Sequence, residues 1–110
     1  MITSAANQKV KQVIQWQSKS KERKKDNVYL VEGFKMFEEA PVEAILEVYL
    51  SETAMDRQEG EVKRKLEQTG YELVSEEVFR KMSDTQTPQG ILTVLKQPFY
   101  RLEDLIQKSS

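Results

Sequence analysis

At 110 residues, 38% hydrophobic and 32% charged, the chain can bury one core and so forms a single domain; no apolar run nears the ~18 residues of a membrane span. Cysteine and histidine are both absent, which excludes disulfides, thiolate chemistry, Ser-His or Cys-His nucleophilic pairs and an ordinary zinc site. The net charge of −1 conceals an asymmetry: residues 1–26 hold seven Lys/Arg against two acids, whereas residues 27–110 hold ten against sixteen, a cationic patch on an acidic body.

Thr3 or Ser4 is expected to cap a first helix, in which Val10, Val13, Ile14 and Gln17 follow helical spacing with Trp16 alongside. Asn7 and Lys11, four apart, share a face away from most of that apolar stripe. From Lys19 to Asn27 there is no periodicity, and the five cations Lys19, Lys21, Arg23, Lys24 and Lys25 predict a solvated loop. Val28 to Val31 reads as the first strand. Gly33 to Ala40 reads as a helix with Phe34 and Phe37 (or Met36) turned inward, ended by Pro41.

Ala44 to Leu50 is the expected second strand. One helix is predicted from about Met55 to Thr69, burying Val62 and Leu66, with Gly60 awkward near its start and Gly70 as its stop. Tyr71 to Val74 follows as a short strand. Ser75 then caps a helix with Glu76 and Glu77 in its first turn and Val78, Phe79 and Met82 inside. Ser83 to Gly90 is a polar turn containing Pro88, and Ile91 to Leu95 the fourth strand. Beyond Pro98, Leu102, Leu105 and Ile106 hint at a further helical turn. Helices and strands alternate four times, the pattern of a three-layer α/β domain.

The four glycines, at 33, 60, 70 and 90, stand too far apart for a dinucleotide fingerprint or a P-loop. Glu38-Glu39 and Glu76-Glu77 read as solvated helix faces, because adjacent helical residues point in different directions. No calcium-loop ladder is present. The chain therefore reads as non-catalytic on its own, with no metal.

The basic run can be read as a solubilising loop, but three features point to RNA. It follows a helix that carries Lys9, Lys11 and Asn7, so cations and an amide can converge from two elements. Glu32-Gly33 then forms a strand-to-helix turn, where glycine lets a phosphate approach backbone N–H groups. Lys35 lies in that same first turn, where the helix dipole disfavours a cation unless an anion joins it.

Three blocks, "ITSAANQKVKQVIQW", "KSKERKKDNVYLVEGFKMFEEA" and "KMSDTQTPQGILTVL", together resemble the N-terminal substrate-binding domain of SpoU-family RNA 2′-O-ribose methyltransferases. Ile2, Ser4, Asn7, Val10 and Lys11 carry the first match, and Arg23, Leu30, Glu32, Gly33 and Ala40 the second. Met82, Ser83, Pro88, Gln89 and Gly90 carry the third. The resemblance runs from about residue 2 to residue 97.

It implies a fold similar to kink-turn-binding ribosomal proteins, a mixed four-stranded sheet between helices in an α/β/α sandwich. It also implies that Glu32 to Lys35 and Thr85 to Gly90 meet at one RNA-binding edge, which gives Thr87, Gln89 and Gly90 a role beyond shaping a turn. The expected RNA-binding set is Asn7, Lys11, Lys19, Arg23, Lys24, Lys25, Glu32, Gly33, Lys35, Thr87, Gln89 and Gly90. Residues 1–97 would be the RNA-binding domain, and 98–110 a linker toward a C-terminal catalytic domain missing from what is expected to be a fragment.

In the family that domain is knotted, binds S-adenosylmethionine and supplies the catalytic residues, so no cofactor is expected in this chain. The implied partner is rRNA or tRNA, in the cytoplasm, with a homodimer expected only for the full-length parent. Two other readings stand beside this one. The chain could be a standalone structural RNA-binding protein of the kink-turn type. It could also be a protein-interaction domain whose basic run meets an acidic partner, with an exposed apolar patch of Leu102, Leu105 and Ile106 as its signature.

Overall fold

The computed structural model describes residues 1–97; the expected linker, with Leu102, Leu105 and Ile106, lies outside the described residues. Asn7, rather than Thr3 or Ser4, caps α1 (Gln8–Ser18): its Oδ1 accepts the Lys9 and Val10 amides at 2.8 and 3.4 Å. The Ser4 hydroxyl instead accepts the Ala6 amide at 3.1 Å, in a turn ahead of the helix. Val10, Val13 and Trp16 form the buried stripe of α1, while Ile14 and Gln17 are only half-buried.

The expected loop after α1 is instead a second helix, α2 (Ser20–Asp26). Lys, Arg and Glu are good helix formers. Glu22 occupies the first turn and Arg23, Lys24 and Lys25 the last, which matches the helix dipole at both ends. Asn27 closes it in the left-handed conformation, at φ 55° and ψ 46°. No α2 residue is buried, so no apolar period was there to betray it.

β1 (Val28–Glu32) leads through Gly33 into α3 (Phe34–Glu39), which ends just ahead of Pro41; a 3-10 turn (Val42–Ala44) follows. β2 (Ile45–Ser51) runs on into α4 (Glu52–Asp56), capped by the Ser51 hydroxyl. The single helix expected from Met55 to Thr69 is two, because the chain turns at Arg57–Glu59 before α5 (Gly60–Thr69) begins. Gly60, a weak helix former, sits at that junction. β3 (Glu72–Val74), α6 (Glu76–Met82) and β4 (Ile91–Lys96) complete the order.

The four strands make one mixed sheet in the order β1-β4-β2-β3. β4 is antiparallel to both β1 and β2, and β2 is parallel to β3. Ile2 extends the far edge, its amide donating to Leu73 O at 2.8 Å and its carbonyl accepting from Ser75 N at 3.0 Å.

α1 and α6 cover one face, where Val10, Val13, Trp16 and Phe79 pack with Tyr49, Leu92 and Val94. Phe37, Ala54 and Leu66 of α3, α4 and α5 pack on the other face with Val48, Leu50 and Ile91. β4 is buried on both sides, which is why it reads as a continuous apolar run rather than an alternation. The fold is the expected α/β/α sandwich around a mixed four-stranded sheet.

Candidate RNA interface

The turn from β1 to α3 and the loop from Ser83 to Gly90 meet at one end of the sheet. Gln89 Oε1 accepts the Phe34 amide at 3.0 Å, and the Gly33 amide donates to Ile91 O at 3.1 Å. The Gly33 and Phe34 amides are thus satisfied by the chain itself. Gly33 takes φ +100°, and a Cβ there would lie 3.3 Å from Gln89 Oε1. Its bare backbone lets the glutamine reach across.

Glu32 is a fastener as well. Its carboxylate accepts from Ser83 Oγ at 2.6 Å, the Asp84 amide at 2.7 Å and Gln17 Nε2 at 3.3 Å. One side chain thereby ties β1 to the loop after α6 and to the end of α1. Gly90 takes φ +99°, and a Cβ there would fall 2.6 Å from both Ala54 Cβ and Ser51 Oγ. Its carbonyl accepts the Ser51 amide at 2.8 Å, so packing against the start of α4 accounts for this glycine. Asp84, Thr85, Gln86, Thr87 and Gln89 stay exposed between those two anchors.

The cations divide into two kinds. Arg23 is half-buried and turned inward, with Nη1 donating to the carbonyls of Trp16 and of Gln17, the latter at 3.3 Å. Trp16 Nε1 in turn donates to Asp26 Oδ2 at 2.8 Å, closing the α1–α2 hairpin. Lys25 lies 3.5 Å from Glu22 on its own helix. Lys11, Lys19, Lys21, Lys24 and Lys35 are exposed and form no ion pair among the described residues. α2 comes to the same edge, because Arg23, Tyr29 and Asp84 share the wall of one small cleft of about 210 Å³.

Asn7 does not come to that edge. It stands at the opposite end of α1 from Gln17, roughly 15 Å away at 1.5 Å per residue, and its Oδ1 is engaged as the helix cap. Lys11 is only one turn further along. Bonds and cleft walls bring Arg23, Glu32, Gly33, Gln89 and Gly90 to this end of the sheet, while Lys19, Lys24 and Lys25 lie on or beside α2, Lys35 in the first turn of α3 and Thr87 in the loop.

Two structural residues left no trace in the sequence. Lys65 on α5 donates from Nζ to the carbonyls of Phe37 at 2.7 Å, Glu38 at 2.9 Å and Ala40, capping the C-terminal end of α3. Its ammonium also lies 5.1 Å from the centre of the Phe37 ring. Burial draws its pKa below the usual lysine value. Glu76 accepts the Thr53 amide at 3.0 Å and the Thr53 hydroxyl, and these bonds hold its pKa below the ordinary carboxylate value. Both act between elements far apart in the chain, a relation that no local pattern records.

Solved structures that resemble this chain include enzymes named as methyltransferases. An rRNA methyltransferase from Sinorhizobium meliloti aligns over 87% of this chain and 36% of its own, at TM-score 0.66 and 21% identity. An RNA 2′-O-ribose methyltransferase aligns over 88% and 37%, at TM-score 0.66 and 26% identity. The SpoU methyltransferase AviRb from Streptomyces viridochromogenes, solved with its cofactor AdoMet, aligns over 84% and 36%, at TM-score 0.61 and 17% identity. The chain spans little more than a third of each. No curated protein sequence matches it. The sequence pattern of the MRM3-like substrate-binding domain, however, fits residues 7–93, and the protein belongs to that family.

Proposed function

We propose that this chain is the RNA-docking domain of a 2′-O-ribose methyltransferase acting on rRNA or tRNA. Residues 1–97 would hold the RNA, and residues 98–110 would lead to a catalytic domain that binds S-adenosylmethionine. Unpaired lysines supply affinity through phosphates without reading sequence. Shape, together with exposed bases or 2′-hydroxyls, supplies specificity at Thr87, Gln89 and neighbouring backbone groups.

The observation that carries this reading is the bond from the Phe34 amide to Gln89 Oε1. It joins two loops 55 residues apart into one edge, beside exposed lysines, in a chain of a substrate-binding family. The test is a fluorescence-anisotropy titration with ribosomal and transfer RNA fragments at two salt concentrations. Beside the wild type runs a variant with Lys19, Lys21, Lys24 and Lys25 changed to Gln, which leaves the inward-turned Arg23 in place. Affinity should fall with salt by about 0.7 log units per phosphate contact per log unit of salt, and the variant should show a flatter slope. Binding that ignores both salt and the substitutions would contradict the reading.

A further inference from the structure

Two clefts open on either side of Gln89, and neither involves α2. The first, about 250 Å³, is lined by Thr53, Arg57, Glu76, Arg80, Gln86 and Gln89 among others. Its carboxylate, Glu76, is already engaged by the Thr53 amide and hydroxyl. Its two guanidiniums form no ion pair among the described residues. Arg57 comes from the turn after α4 and Arg80 from the last turn of α6. Two cations from separate elements therefore face one space with a single, committed acid between them.

The second cleft, about 440 Å³, has walls of Phe34, Arg57, Gln58, Pro88 and Gln89. Phe34 and Pro88 are half-buried and give it apolar sides. The two amides have their orientations set by partners. Gln58 Nε2 donates to Ala54 O at 2.9 Å, which leaves its Oε1 as an acceptor. Gln89 Oε1 accepts the Phe34 amide at 3.0 Å, which leaves its Nε2 as a donor. Arg57, Pro88 and Gln89 are common to both clefts, so an apolar slot with one donor and one acceptor adjoins an arginine-lined one.

Such a pairing suits one nucleotide taken out of its stack. An unstacked base needs an aromatic or apolar surface and hydrogen-bonding groups for its edge, and its phosphate needs fixed cations. We infer that this double cleft is a seat for a single unpaired nucleotide of the RNA, with the base between Phe34 and Pro88 and a flanking phosphate on Arg57 and Arg80. The inference rests on the RNA-docking reading. It gives the base contacts of that reading a defined place, between Phe34 and Pro88 beside Gln89.

The experiment uses the whole 110-residue chain, a labelled single-stranded hexaribonucleotide, and inorganic polyphosphate as an anion without bases. Three proteins are compared: wild type, Arg57→Gln with Arg80→Gln, and Lys24→Gln with Lys25→Gln. Each arginine lost should weaken hexamer binding about tenfold, as expected for a charge-assisted hydrogen bond. The melting midpoint should hold, because both arginines are exposed. In NMR spectra the side-chain amides of Gln58 and Gln89 should shift with the hexamer and stay in place with polyphosphate.

Wild-type affinity in the arginine variant, together with loss in the lysine variant, would overturn the cleft and leave RNA docking standing. Equal shifts with polyphosphate would overturn the base seat. No binding of the hexamer by any of the three proteins at low salt would overturn both proposals.

Discussion

Gly90 holds φ +99° in a place where a Cβ would stand 2.6 Å from Ala54 Cβ and Ser51 Oγ. Gly90→Ala should therefore cost roughly 3 kcal/mol from backbone strain and overpacking together. Urea denaturation would measure the loss, and an unchanged midpoint would show that the loop re-forms around a methyl group. Glu76 behaves differently, because its folded pKa lies below the ordinary carboxylate value through its bonds from Thr53. The stability that it contributes is present above the unfolded carboxylate pKa and is lost as pH falls through the folded one. The gap in urea midpoint between wild type and Glu76→Gln should thus be widest near neutral pH and close on acidification. Some residue roles are legible in the sequence: the Ser75 cap and the inward Val78, Phe79 and Met82. Arg23, Glu32 and Lys65 are not, because the carbonyls and hydroxyls that they bind become neighbours only in the folded chain.

α1 and α2 form a hairpin whose joint is polar rather than apolar. Trp16 Nε1 donates to Asp26 Oδ2, and Arg23 Nη1 donates to the carbonyls of Trp16 and Gln17 at the end of α1. Arg23→Ala should therefore cost about 1–2 kcal/mol and alter the fluorescence of the single tryptophan. Lys24→Ala, one position along but fully outside, should leave both unchanged. Equal effects from the two would mean that Arg23 is a surface cation like its neighbours. The element boundaries follow the same logic. Apolar periods mark α1, α6 and all four strands, whereas α2 has no buried face and so carries no such period. The break between α4 and α5 was hidden because Ala54, Val62 and Leu66 supply apolar residues on both sides of it.

Across the whole molecule the sheet brings the β1–α3 turn and the Ser83–Gly90 loop together at one end. β1 and β4 are antiparallel neighbours, so the turn leaving β1 and the loop entering β4 fall side by side. That placement follows from strand order, which alternation of elements alone does not determine; the family resemblance anticipated it. α2 lies beside this end, and α5 lies across the sheet near a surface of mixed charge lined by Glu38, Glu39, Glu61, Arg64 and Lys65. The two regions make an internal contrast for the central claim, that RNA lies along the edge where the Ser83–Gly90 loop meets the start of α3. Hydrogen-exchange mass spectrometry, with and without a bound ribosomal or transfer RNA fragment, tests it most directly. Protection should appear in peptides covering residues 19–27 and 83–90, and peptides covering residues 60–70 should exchange as in the free protein. Protection confined to residues 60–70, with the loop and α2 unchanged, would contradict the account.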